Sequence, residues 1–209
     1  MDKKIAIFDF DGTLVDSAGY WQRTERDFLT RHGISGDLSE ILEKIKPMTV
    51  PEAAREFIER YALSDTVEEI SDQLYSVMIR CYREEVPLKD GAAAYVKALA
   101  ERGVRMCVAS ATAADLMQEC LDRAGIGNCF EFVISCLDVG AGKLQPDIYY
   151  AAAKRLGADP ADIAVYEDAP YALRTANNAG FYTIGVYDQS ADGHWEEVQK
   201  IADETIRHW

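Results

Sequence analysis

Two aspartates close an early apolar run, in Ile5-Ala-Ile-Phe-Asp9-Phe-Asp11, and Gly12, Thr13, Asp16 and Ser17 follow at once. A second acid pair, Glu167-Asp168, closes the run Ile163-Ala-Val-Tyr166. The run Met106-Cys-Val-Ala109 ends in Ser110-Ala111-Thr112, and Lys143 stands in the loop Gly140-Ala-Gly-Lys143. Brought together, four carboxylates repel, at about 4 kcal/mol per close pair for an effective dielectric near 20. A hard divalent cation with oxygen ligands offsets that, and Mg²⁺ is the usual one where phosphate is also bound. Ser110, the backbone amides of Ala111 and Thr112, and the Lys143 ammonium are donors suited to phosphate oxygens. Gly12 lets the chain turn sharply after the first pair. Each piece has a plainer reading alone: Asp9 and Asp11 as a strand-end turn, Ser110 as a helix cap, Glu167-Asp168 as acids opening a helix, Lys143 as a solvated side chain. Their joint fall at strand ends favours the chemical reading, because open α/β sheets bind ligands beyond the carboxyl ends of their strands.

The elements that must position these residues are legible from periodicity. Lys4–Phe8 reads as a strand buried on both faces. Val104–Ala109, Phe132–Ser135, Ile163–Tyr166 and Tyr182–Val186 read as further strands. Helical patterns occupy Gly91–Glu101, Ala113–Ala124, Pro146–Leu156, Ala169–Ala179 and about His194–Ala202, several stopped by glycine. This alternation predicts right-handed crossovers and a parallel sheet. From Ala18 to Glu85 the period is helical throughout, as in Trp21/Phe28/Leu29, Ala54/Phe57/Ile58/Tyr61 and Ile70/Leu74/Val77/Met78. The predicted architecture is an α/β, doubly wound parallel-sheet core of residues 1–16 and 88–209, split by an all-helical cap of residues 17–87. The crossings near Asp16–Ser17 and Glu85–Leu88 are the predicted hinge.

Composition narrows the partners. A chain of 209 residues with 48% hydrophobic content can build one sizeable core and a small accessory one. Its net charge of -14 repels nucleic acid and anionic lipid, so neither is an expected partner. Cys81, Cys107, Cys120, Cys129 and Cys136 form no CxxC pair and read as reduced thiols, with Cys107 and Cys136 in strand-like runs. Met1-Asp2-Lys3-Lys4 leads straight into a strand, and no apolar stretch reaches membrane-spanning length, so a cytoplasmic location is expected. His32, His194 and His208 fall outside the polar loops, which disfavours a histidine base or a zinc site. The Gly140–Lys143 loop lacks the spacing of a nucleotide-binding P-loop.

In order, Asp9-Phe-Asp-Gly-Thr-Leu-Val-Asp16, Ser110, Gly142-Lys-Leu-Gln-Pro-Asp147 and Tyr166-Glu-Asp168 resemble the four motifs of the haloacid dehalogenase superfamily. The helical insert after the first motif resembles the C1 cap of its β-phosphoglucomutase-like phosphatases. The resemblance implies a phosphatase acting on a small phosphorylated metabolite, with Mg²⁺ as cofactor. It implies Asp9 as nucleophile, forming an aspartyl-phosphate, and Asp11 as general acid to the leaving alcohol and then general base to water. It places the metal on Asp9, Asp11 (through its backbone carbonyl), Asp168 and Glu167, and the phosphoryl group on Ser110, Ala111 and Lys143. The residues by themselves are equally compatible with covalent catalysis and with attack by a metal-bound water. The second aspartate makes this a phosphotransferase motif rather than that of a dehalogenase.

Two alternatives remain. A sugar phosphomutase of the same family needs a second anion clamp in the cap, from a His soon after the first motif and an Arg in the specificity loop. This chain has Trp21 and Val50 at those positions, which favours hydrolysis. A non-catalytic phospho-ligand-binding regulator is disfavoured by the intact carboxylates. Tyr20, Trp21, Lys46, Met48 and Thr49 are the expected substrate contacts from the cap.

Overall fold

The computed structural model describes residues 3–209; Met1 and Asp2, with which the expected core begins, lie outside the described residues. The apolar runs form strands β1 (Ile5–Phe8), β2 (Arg105–Ser110), β3 (Phe132–Ser135), β4 (Ile163–Glu167) and β5 (Tyr182–Val186), joined at the edge by β6 (Glu204–Ile206). All pairings are parallel, in the order β3-β2-β1-β4-β5-β6. Side-chain alternation divides each central strand between two cores. Ala6 and Phe8 pack on one face with Met106, Val108 and Tyr166, while Ile7 packs on the other with Cys107, Ala109 and Val165. Phe8 stacks on Tyr166 from the neighbouring strand at 4.2 Å between ring centroids.

The chain turns back across the sheet between β1 and β4, which pair with Phe8 opposite Tyr166. That reversal opens the crevice in which such sheets bind ligands. It sets Asp9 and Glu167 side by side at the carboxyl ends of adjacent strands.

Between β1 and the rest of the sheet lie four helices, α1 (Ala18–Arg31), α2 (Ser39–Ile45), α3 (Val50–Tyr61) and α4 (Val67–Glu84). Helices α3 and α4 each begin with a capping box, Thr49 with Glu52 and Thr66 with Glu69. Their apolar faces enclose a separate core that includes Phe28, Leu29, Ile41, Phe57, Ile70 and Leu74. Helix α4 belongs to both cores: its first half packs Ile70 and Leu74 into the insert, and its second half packs Met78, Cys81 and Tyr82 against the sheet. The two crossings pair with each other, Asp16 N–H donating to Pro87 at 3.0 Å and Lys89 N–H to Leu14 at 2.9 Å.

The remaining helices are α5 (Ala92–Glu101), α6 (Ala114–Arg123), the short α7 (Cys136–Val139), α8 (Asp147–Leu156), α9 (Pro170–Asn178) and α10 (Trp195–Ile201). Cys136 opens α7 rather than lying in a strand, and all five cysteines are free thiols. Strand β6 has no counterpart in the periodicity reading: three residues, two of them exposed, carry too little apolar alternation. Among the described residues no helix is long and apolar enough to cross a membrane.

Two contacts close the insert onto the sheet side. The Tyr171 hydroxyl donates to the Lys46 carbonyl at 3.2 Å, and Gly142 lies so near Pro47 that a Cβ there would meet its carbonyl oxygen at 2.9 Å. Because the insert has its own core, Phe57→Ala should cost about 3–5 kcal/mol locally. Hydrogen exchange should then accelerate in α2 and α3 while the amides of β1, β2 and β4 keep their protection. Equal acceleration throughout would instead show one cooperative unit.

Candidate active site

Beyond the ends of β1, β2 and β4 lies a cavity of about 460 Å³, roofed by the insert. Asp9, Asp11, Ser110, Ala111, Lys143, Glu167 and Asp168 all line it. Asp9, Ser110, Lys143 and Glu167 are nearly inaccessible to solvent.

Lys143 is the buried cation of the site. Its ammonium donates to Asp9 Oδ1 and to Glu167 Oε2, the latter at 2.7 Å. Glu167 is held further by the Ala169 amide at 3.2 Å and the Tyr149 hydroxyl at 3.4 Å. One lysine does not balance the carboxylates. Burial, then the charge of Glu167, pushes Asp9 up to about 7 although Lys143 pulls the other way. Burial, Glu167 and Asp9 together push Asp168 well above the usual carboxylate range. Oxygen atoms of Asp9, Glu167 and Asp168 lie within 4.8 Å of one another. This uncompensated, all-oxygen cluster fits a hard divalent cation in both charge and donor type.

Gly12 is required twice over. Its φ is +83°, and a Cβ there would come within 2.5 Å of Asp168 Oδ2. Thr13 fixes the same carboxylate by donating to Asp168 Oδ1 at 2.9 Å. Lys89 donates to the Gly12 carbonyl at 2.6 Å and to Asp188 at 2.8 Å, tying the turn after β1 to the end of β5.

Asp11 sits in a cage of hydroxyls. Ser17 donates to its Oδ1 at 2.5 Å, Thr112 to its Oδ2 at 2.6 Å, Ser110 to its Oδ2 at 3.4 Å, and Tyr82 also donates to Oδ1. Tyr82 in turn accepts from the Trp21 indole N–H at 2.7 Å. Hydroxyls can turn to donate or accept, so such a cage holds an acid in either protonation state. Thr112, Ser17 and Tyr82 were not foreseen in these roles. The hydroxyls of Thr112 and Ser17 adjoin recognised motifs and were within reach of the sequence reading. Tyr82 looks like any aromatic on an apolar helix face.

Of the expected insert contacts, Trp21, Lys46 and Met48 line the cavity. Tyr20 and Thr49 are not among its lining residues, which corrects their placement. The Tyr20 ring packs under the Arg23 guanidinium at 5.2 Å, and Thr49 spends its hydroxyl on Glu52 at 2.8 Å as the cap of α3. Lining residues not anticipated include Glu25, Glu43, Tyr171 and Arg174.

A family model for haloacid dehalogenase-like hydrolases matches residues 3–180. The chain belongs to this family. It is 29% identical, over 97% of its length, to a bifunctional riboflavin kinase/FMN phosphatase of Arabidopsis thaliana, of which it spans 55%. It is 26% identical, over 88% of its length, to the validoxylamine A 7'-phosphate phosphatase of Streptomyces hygroscopicus subsp. limoneus, of which it spans 85%. Among solved structures, a β-phosphoglucomutase from Clostridium difficile superposes with a TM-score of 0.82 at 20% identity, covering 99% of this chain and 91% of that one. This likeness concerns the fold: a parallel sheet with helices, as the spacing of strands and helices predicts, here of six strands with β6 added at the edge.

The raised value of Asp9 has a stability consequence. In the folded chain Asp9 ionises near 7 rather than near 3.8, so the native state holds its proton longer than the unfolded one. Its unfavourable ionisation therefore costs stability progressively as pH rises from about 4 to about 7. Asp9→Asn, which cannot ionise, should gain melting temperature relative to wild type across that window in EDTA. Thermal scans in steps of pH would show this as a widening difference, and a constant difference would contradict it.

Proposed function

We propose that this hydrolase is a Mg²⁺-dependent phosphatase that cleaves a small phosphorylated metabolite through an aspartyl-phosphate on Asp9. The observation that carries this reading is the buried Asp9–Lys143 pair, facing the same cavity as the hydroxyl-caged Asp11. In this reading residues 1–16 and 88–209 are the catalytic core and residues 17–87 its cap.

Asp9 attacks phosphorus, forming an O–P bond as the bond to the substrate's ester oxygen breaks. Asp11 gives its proton to that departing oxygen, then takes one from the water whose oxygen attacks phosphorus; the Asp9–phosphorus bond breaks, phosphate leaves, and Asp9 is again a carboxylate and Asp11 again protonated. Lys143, Ser110 and the amides of Ala111 and Thr112 hold the phosphoryl oxygens where charge develops. Asp9, Glu167, Asp168 and the Asp11 carbonyl would hold Mg²⁺. When bound, Mg²⁺ neutralises charge on the phosphoryl group and on the carboxylates around it. The roof over the cavity excludes bulk water from the acyl phosphate until the reactive water is placed.

Hydrolysis is favoured over the phosphomutase reaction of a sugar phosphate by the charges around the cavity. A bisphosphate needs a second free cation, yet Lys46 is paired with Glu43 at 2.6 Å and Arg174 with Glu197. Val50 lines the cavity as a buried apolar group where a mutase of this family has Arg.

Phosphate release from p-nitrophenyl phosphate should require Mg²⁺, stop in EDTA and resume on adding Mg²⁺ back. Asp9→Asn should lower kcat by roughly 10⁴-fold or more. Substantial turnover by a sequence-verified Asp9→Asn sample, or full activity without metal, would refute the reading.

Tyr82→Phe removes one donor from Asp11 and should lower kcat on alkyl phosphates by about tenfold, the worth of a hydrogen bond to a charged group. The loss on p-nitrophenyl phosphate should be smaller, because its leaving group departs as a stable anion without a proton. Equal losses on both esters would show that Tyr82 does not act through Asp11.

A further inference from the structure

The phosphate end of the cavity is rich in charge; its far end, under the insert, has a different character. Its walls there are the apolar side chains of Leu42, Ile45, Met48, Val50 and Leu74. Glu25 lines the same cavity from α1, one turn beyond Trp21 and on the same helix face. No side chain or amide among the described residues donates a hydrogen bond to its carboxylate. Lys46 is the cation that bears on it, and Lys46 is already engaged by Glu43 at 2.6 Å. Trp21 does not help either, because its indole N–H is committed to Tyr82.

Glu25 is half-buried, and a carboxylate that is partly screened from water and left without a donor is costly to keep until a partner arrives. Burial raises Glu25 to about 8, and the charge of Lys46 offsets only part of that. The protein supplies no donor, and the cavity is where a substrate's alcohol portion lies once its phosphate reaches Lys143.

We propose that Glu25 is the specificity determinant of the site: it accepts hydrogen bonds from hydroxyl or amino groups on the alcohol portion, and so selects phosphate monoesters of donor-rich, non-anionic alcohols. This rests on the phosphatase reading above. The apolar walls flank the carbon skeleton, and Glu25 takes its donors. A second phosphate or a carboxylate on the same alcohol brings no donor to Glu25 and meets the Glu43 carboxylate, so it is disfavoured. A plain alkyl chain fits the walls but leaves the carboxylate unpartnered, so it is also disfavoured.

The test is kcat/KM, measured with Mg²⁺ on wild type, Glu25→Gln and Glu25→Leu. The probes are sorbitol 6-phosphate, glucosamine 6-phosphate, hexyl phosphate and fructose 1,6-bisphosphate, with p-nitrophenyl phosphate on wild type to establish the basic activity. Wild type should favour the two donor-bearing monoesters over hexyl phosphate by at least tenfold and should turn over the bisphosphate poorly. Glu25→Leu should reduce that preference at least tenfold, through KM more than kcat. Glu25→Gln, which keeps an acceptor but no charge, should restore preference for the sorbitol ester more than for the aminosugar ester. A preference unchanged in Glu25→Leu, or an equal loss on all esters, would overturn the role of Glu25 while leaving the phosphatase reading intact. If wild type hydrolyses none of the esters, p-nitrophenyl phosphate included, the phosphatase reading fails and this inference with it.

Discussion

Everything at the sheet edge depends on one electrostatic constraint: several carboxylates are buried around a single lysine. Lys143 touches Asp9 and Glu167 but not Asp168, so the carboxylates are under-compensated and Asp9 and Asp168 are held above the usual carboxylate range. Such a group of charges survives in a folded chain only if its geometry is imposed by stronger elements. Here β1 and β4 impose it, pairing in register and burying their side chains on both faces. Asp9 N–H donates to the Tyr166 carbonyl at 2.9 Å, extending the ladder to Asp9 itself. That shortage of positive charge is what suits the cluster to a hard cation.

The parts of this site legible in the sequence are those where position along the chain determines position in space. Asp9, Asp11, Ser110, Glu167 and Asp168 each end an apolar run or immediately follow one, and a parallel sheet carries such ends to one edge. The strands that bear them are central and apolar, so their pattern is strong. Strand β6 is an edge strand with Glu204 and Thr205 exposed, and it shows no such pattern. Residues on the insert are harder to place for a different reason. A helix face shows which residues are covered, not whether protein or a cavity covers them. Tyr82 and Glu25 therefore look like an ordinary core aromatic and an ordinary surface acid, although one touches Asp11 and the other lines the cavity. Tyr20 and Thr49 err in the opposite sense: each neighbours a lining residue, but helix phase and capping turn it aside.

The two aspartates differ in what holds them. Asp9 is fixed by the sheet and by Lys143. Asp11 is held from both sides: Ser17, just before α1, and Tyr82, in the last turn of α4, donate to one oxygen, while Thr112 and Ser110 at the end of β2 donate to the other. Ser17 and Tyr82 also stand where the chain crosses between insert and core, beside the Asp16–Pro87 and Lys89–Leu14 hydrogen bonds. A rotation of the insert about these crossings thus displaces two donors of Asp11 while leaving Asp9 and Lys143 in place. The same rotation would part Tyr171 from Lys46 and Gly142 from Pro47, the contacts that close the roof. Closing the roof and completing the hydroxyl cage of Asp11 are for this reason one movement, whereas the Asp9–Lys143 contact does not depend on the insert.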